Sequence, residues 1–269
     1  MSRLDNLRKL KDELNITISG KVDFKNPCVF VANHSCLMDI FYLPIAINIP
    51  MIDLISPKLI YKNDLPRKKM VNDNLYCMPI EAHGGSTYSE LCINSATQFL
   101  NVGISVGIFP EGVYLPGNNI YRGRTGASRI LYRACRDKDI SLVPVAIDVS
   151  GLENDLDFYS IDSRHIDIKI LPAIDYKGFY SDFISSNDYD KRNKALHEPI
   201  DLAMESIAYS LGRKYIDDYV PLFERNGIMF SDGQIIPKEN INDYNNILRY
   251  KNDLQERVKV LKREISSLK

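Results

Sequence analysis

Short β-rich apolar runs alternate with helix-patterned segments through most of this chain, and that alternation restricts the folds open to it. "CVFVA" (28–32), "MIDLIS" (51–56), "LYCMPI" (75–80), "ISVGIF" (104–109), "SLVPVAI" (141–147) and the alternating "HIDIKIL" (165–171) read as strands. "MDIFYLPIAI" (38–47), "STYSELCINSATQFLN" (86–101) and "GASRILYRACRDK" (126–138) read as the helices between them. Strands interleaved with helices predict an α/β fold, a central mixed sheet flanked by helices, with its chemistry on the loops at one sheet edge.

The two ends follow other patterns. Leu4, Leu7, Leu10 and Leu14 fall at helical spacing among charges, which predicts a short amphipathic helix within 1–20. Its apolar stripe suits either the protein's own core or a membrane surface. Residues 21–180 read as the α/β core. Residues 181–240, with a helical stretch at 189–212 and turns or a small hairpin at 225–237, read as the completion of that domain. In 241–269, Ile247, Leu254, Leu261 and Leu268 repeat every seven residues, with Val258 and Ile265 on the adjacent row. This coiled-coil-like C-terminal helix has three destinations open to it: its own domain, a membrane, or a second copy in a homo-oligomer.

A formal net charge of −1 argues against a chain dominated by nucleic-acid binding. The five cysteines are scattered and form no metal-type CxxC pair, so no metal site is expected, and buried thiols in a reducing, cytoplasmic setting are the simplest reading. No stretch supplies the roughly 20 apolar residues of a membrane span. A lipid substrate would have to be met from the membrane surface, as a peripheral protein on the inner face.

Three segments carry candidate chemistry. In "CVFVANHSCLMDIFYLP", His34 and Asp39 stand five residues apart where a strand runs into a helix. On a regular helix they would point about 140° apart, so they meet only if the chain turns between them. The spacing alone decides little. Its position at a strand's carboxyl end, after Asn33, is where open α/β sheets place ligands. A neutral imidazole there can accept a proton while a carboxylate on its other nitrogen fixes the tautomer. His34 and Asp39 therefore form either a base with its orienting acid or a structural pair. In "IFPEGVYLPGNN", Pro110-Glu111-Gly112 closes a strand. A carboxylate there suits hydroxyl binding or the anchoring of a basic loop, and the glycine allows close approach. In "YRGRTGASR", Arg122 and Arg124 precede a helix that opens at Gly126, an arrangement suited to an anion or to a solvated basic face.

The order "NHSCLMD", "PK" (57–58), "MPIE" (78–81), "IFPEG" (108–112), "RTGA" (124–127) and "LVPVAI" (142–147) resembles the glycerolipid acyltransferase superfamily, of which lysophosphatidic acid acyltransferase is a familiar member. The resemblance spans roughly residues 20–175. It implies transfer of a fatty acyl group from acyl-CoA or acyl carrier protein to a hydroxyl of a lysophospholipid-like acceptor, without a cofactor. His34 would act as general base assisted by Asp39. Asn33, Lys58, Pro110, Glu111, Gly112, Arg122, Arg124 and Gly126 would contact substrate. No covalent intermediate is implied, so Cys36, where the family often has serine, is read as core packing.

Two positions depart from the family pattern. Glu81 and His83 stand where an arginine usually grips the acceptor phosphate, and Val113-Tyr114 replace Thr-Arg after the FPEG block. Tyrosine cannot replace a bidentate guanidinium. Two further readings follow: an acyltransferase with a non-phospholipid acceptor, or a non-catalytic acyl-lipid-binding protein assembled through 241–269.

Overall fold

The apolar run Cys28–Ala32 forms the central strand of a seven-stranded sheet, and all five of its residues are buried. A strand covered on both faces by other layers needs this unbroken apolar character. The computed structural model describes residues 2–22, 25–55, 65–80, 85–114, 117–136, 138–149, 164–220 and 244–267. Its strands are β1 (Ile16–Ser19), β2 (Cys28–Ala32), β3 (Met51–Ile55), β4 (Cys77–Pro79), β5 (Ser105–Ile108), β6 (Asn119–Tyr121), β7 (Ser141–Val149), β8 (Ile166–Ile170) and β9 (Lys214–Ile216). Its helices are α1 (Arg3–Glu13), α2 (Asp39–Ile47), α3 (Leu65–Asn74), α4 (Gly85–Asn101), α5 (Gly126–Ala134), α6 (Lys177–Ser185), α7 (Tyr189–Leu211) and α8 (Tyr244–Ser266).

The sheet order is β1-β8-β7-β2-β5-β3-β4, and β6 pairs with β9 in a separate two-stranded sheet. All pairings in the large sheet are parallel except β7 with β8, which makes it the mixed sheet that the pattern predicts. Alternate side chains of β2 enter opposite cores. Val29 and Val31 pack with Phe99 of α4, Ile130 of α5, and Ala203 of α7. Cys28, Phe30 and Ala32 pack with Phe41 and Leu43 of α2. Helix α2 is buried along its whole length, as a helix apolar on all sides after its opening Asp39 must be. It comes so close to the sheet that a Cβ on Gly107 would stand 2.9 Å from Leu43.

Strands β1, β6 and β9 go beyond the sequence expectation. β1 has four residues and lies at an edge, while β6 and β9 have three each and pair across a long stretch of chain. Runs this short carry too few periods to be read locally.

Both terminal helices turn their apolar stripes inward. Ser2 caps α1 in a reciprocal capping box with Asp5. Leu7 is buried, and Leu10 and Leu14 pack beside it on the α2 core. In α8, Leu254, Val258, Leu261 and Ile265 are buried in the other core. These side chains of the seam are therefore occupied within the chain and not available to a second copy. Arg257 of α8 donates to the Cys77 carbonyl and to Asn72 Oδ1, covering the edge strand β4. Among the described residues, no helix is long and apolar enough to cross a membrane. The turns expected at 225–237 lie outside the described residues.

One buried group sits uneasily in this core. Asp53 Oδ1, in the middle of β3, has no hydrogen-bond donor among the described residues. Complete burial pushes its carboxyl well above the usual range.

Two outcomes are expected. Leu261→Ala should cost about 2–5 kcal/mol of unfolding free energy, with a denaturation midpoint independent of protein concentration. A concentration-dependent midpoint in the wild type, abolished by the substitution, would instead put the seam at an interface between copies. For Asp53, the folded chain retains a proton that the unfolded chain releases as pH climbs past the ordinary aspartate pKa of about 3.9. Stability therefore falls with rising pH, by about 1.4 kcal/mol per unit at most for this one proton. Asp53→Asn should flatten that slope in denaturation curves recorded from pH 5 upward.

Candidate active site

Strand pairing brings the first two chemical segments together. β2 and β5 are parallel neighbours, with Val31 opposite Ile108. The residues that follow each strand therefore emerge side by side at the carboxyl edge of the sheet. Asn33-His34 leave β2 there, and Phe109-Pro110-Glu111-Gly112 leave β5.

The turn between His34 and Asp39 is wound around the Asp39 carboxylate. Its Oδ2 accepts from the Ser35 N–H at 2.6 Å, the Cys36 N–H at 2.9 Å and His34 Nδ1 at 3.1 Å. Its Oδ1 accepts from the Cys36 thiol at 3.3 Å. Asp39 is fully buried and opens α2, where the helix dipole favours an anion. A carboxylate can only accept, so the imidazole proton sits on Nδ1, leaving a lone pair on Nε2. The His34 side chain keeps 12% of its surface exposed. Its ring stacks on Phe109 at 4.4 Å and meets Tyr114 edge-on at 5.6 Å. One of the two departures from the family pattern, Tyr114, thus forms an aromatic wall against the histidine. Burial and the adjacent Asp39 charge push the Cys36 thiol well above its ordinary pKa. It is a neutral donor to Asp39 and no thiolate nucleophile.

Glu111 acts as a tie. Its Oε2 accepts from the His34 N–H at 2.9 Å and its Oε1 from the Tyr121 N–H at 3.0 Å, and it is buried. Burial raises its pKa to about 7, against the opposing effect of the two N–H donors. Of the two readings open for Glu111, its contacts match the anchor. It joins the His34 loop to the basic loop at 121. Gly112 follows in the left-handed region at φ 76°, closing a turn to the Phe109 carbonyl. The Pro110 carbonyl accepts from the Arg124 N–H at 2.9 Å.

Several residues expected to contact substrate have partners within the protein. Asn33 is fully buried, and its amide exchanges two 2.9 Å hydrogen bonds with the Ile147 backbone of β7. It extends the β2–β7 ladder. Arg122 forms a fork onto Asp201, at 2.7 and 3.1 Å, and lies 3.6 Å from Asp217, so its charge is already matched. Arg124 places its guanidinium over the Tyr219 ring at 5.5 Å. Gly126 opens α5, and among the described residues an added Cβ there would meet only Ile108, at 3.8 Å. Lys58, Glu81 and His83 lie outside the described residues. Among the described residues, no group of three or more His, Cys, Asp or Glu could hold a metal ion.

Arg213 belongs to the site although no motif marks it. Gly212 ends α7 in the left-handed conformation at φ 63°, and the chain bends back so that the Arg213 N–H reaches the Ala208 carbonyl. The guanidinium then donates to Ser35 Oγ at 3.1 Å and to Asp148 at 2.5 Å. Its positive charge also lowers the Glu111 pKa in part. A contact between residues 35 and 213 leaves no local trace in the sequence.

Residues 5–148 match the family model described as Acyltransferase. No curated protein matches the sequence. Among solved structures, the chain is similar to the 1-acyl-sn-glycerophosphate (LPA) acyltransferase PlsC from Thermotoga maritima, at 16% identity and a TM-score of 0.48, over 76% of this chain and 79% of that one. The family match takes in more than half of the sequence, including the segments that carry His34, Asp39 and Glu111, and the chain accordingly belongs to the acyltransferase family.

Proposed function

We propose that the protein is an O-acyltransferase that moves a fatty acyl group from a thioester, acyl-CoA or acyl carrier protein, to a hydroxyl of a lysophospholipid-like acceptor. The observation that carries the proposal is the His34–Asp39 pair, held at the carboxyl edge with Nδ1 bound to the carboxylate and Nε2 carrying the lone pair.

In the proposed reaction, Nε2 takes the acceptor's hydroxyl proton as the oxygen attacks the thioester carbonyl. The tetrahedral intermediate then collapses, the C–S bond breaks, and the leaving sulfur takes the proton back from the imidazolium. Acceptor and thioester become ester and free thiol, and the enzyme ends as it began. Asp39 stays ionised throughout and stabilises the imidazolium. Glu111 and Arg213 act as positioning residues, one holding the His34 backbone and the other the Ser35 hydroxyl. The acceptor hydroxyl would meet an aromatic wall, Phe109 and Tyr114, at the point where the family pattern places a cation. An acceptor phosphate would therefore have to be met elsewhere. The protein would act from a membrane surface, since its acceptor is a lipid.

The test is thiol release from an acyl thioester with a panel of lysolipids and neutral alcohols, read with mass spectrometry of the products. His34→Ala should lower kcat by about 10²–10⁴-fold with the fold intact by circular dichroism. Undiminished turnover would remove His34 as the base. Asp39→Asn, which offers Nδ1 the wrong partner, should lower kcat by a comparable factor, on the order of 10⁴ at most, with a smaller effect on KM. Equal loss in KM and none in kcat would make Asp39 a structural residue only.

A further inference from the structure

Outside the catalytic edge, the molecule has a cavity of about 360 Å³, lined by Arg129, Tyr132, Arg133, Arg136, Phe183, Arg192 and Leu196. That volume lies within the usual range for small-molecule sites. Among the described residues, its lining includes four guanidinium groups and no carboxylate. Arg129, Arg133 and Arg136 recur at offsets of four and three, which puts them on one side of α5 and the turn after it. Arg192 faces them from the first turns of α7. Like charges at this spacing repel one another. A helix C-terminus favours cations, which accounts for Arg133 and Arg136 but not for Arg192 at the N-terminal end of a different helix.

The partners inside the cavity are aromatic. The Arg192 guanidinium lies over the Phe183 ring at 4.7 Å, and the Tyr132 and Phe183 rings stand 5.3 Å apart. Arg133 is shared with Glu90 and Asn94 on α4. Asp182 and Glu198 act on the Tyr132 phenol, but neither lines the cavity. The site thus offers guanidinium forks for phosphate oxygens, together with flat faces for a planar ring.

We infer that this cavity binds a nucleotide carrying more than one phosphate. Resting on the acyl-transfer reading above, the nucleotide end of coenzyme A is the ligand that fits, and the donor is then a CoA thioester and not a carrier protein. Phosphates would meet Arg129, Arg136 and Arg192, and the base would lie against Tyr132, Phe183 and the Arg192 plane.

The test is calorimetric titration of the full chain with adenosine 3′,5′-bisphosphate, run beside inorganic pyrophosphate and beside sedimentation with vesicles of anionic phospholipid. Wild type should bind the nucleotide more tightly than pyrophosphate. The double variant Arg129→Ala/Arg192→Ala should bind it roughly tenfold or more weakly, with an unchanged thermal midpoint. Arg192→Lys should recover part of the phosphate affinity but not the ring contact. In the turnover assay, the double variant should raise KM for acyl-CoA by a similar factor. It should leave kcat, and turnover of a short thioester lacking the nucleotide, within about twofold of wild type. Nucleotide affinity that is absent, or unchanged in the double variant, overturns the assignment. So does equal affinity for pyrophosphate, or a variant that loses vesicle association in place of nucleotide binding. A protein that binds the nucleotide but turns over no thioester contradicts the acyl-transfer reading and leaves the cavity's assignment standing.

Discussion

A single buried carboxylate organises the catalytic edge. Asp39 has no exposed surface, and an ion in that position persists only if donors surround it. Two backbone N–H groups, a thiol and an imidazole supply them. Meeting that requirement bends the chain from 34 to 38 into the turn that separates strand from helix. It also orients the imidazole, because the nitrogen bound to the carboxylate must be the protonated one. The loop's shape and the histidine's tautomer therefore have one electrostatic cause.

The rest of the fold holds that turn in place from three directions. Asn33 locks the end of β2 to β7, Glu111 binds the His34 backbone from the β5 side, and Arg213 reaches Ser35 from the end of α7. Each tie comes from a different element, and each polar group involved is partnered. Asp53 shows the contrast. It sits in the sheet itself, where Oδ1 has no donor among the described residues, and burial drives its carboxyl toward the neutral form. The difference between the two aspartates is the supply of N–H groups around them.

Much of this architecture can be read directly from the residues. The apolar runs mark β2, β3, β5, β7 and β8, and the helical offsets mark α2, α4, α5 and α7, because burial on one or both faces imposes its period on the chain. His34 and Asp39 stand out because they interrupt an apolar stretch at a strand end. The fate of Arg122 could not be read this way. Its sequence neighbours suggest an anion site, whereas Asp201 and Asp217 come from α7 and from the segment after β9. The leucine stripe of α1 and the heptad row of α8 were likewise ambiguous, since the same pattern serves a core, a membrane or a second helix.

By itself, then, the sequence determined which faces are apolar, where strands and helices fall, and that a histidine and an aspartate are stationed at the end of a central strand. Those are local properties, written in the periodicity of neighbouring residues. Tertiary structure alone decided that β5 lies beside β2, so that Glu111 reaches His34, that Arg213 completes the loop, and that Leu254, Val258, Leu261 and Ile265 of α8 are covered by the chain's own core. Such pairings depend on strand order and on how helices stack over the sheet, and a contact between residues far apart in the chain leaves no period for the sequence to show.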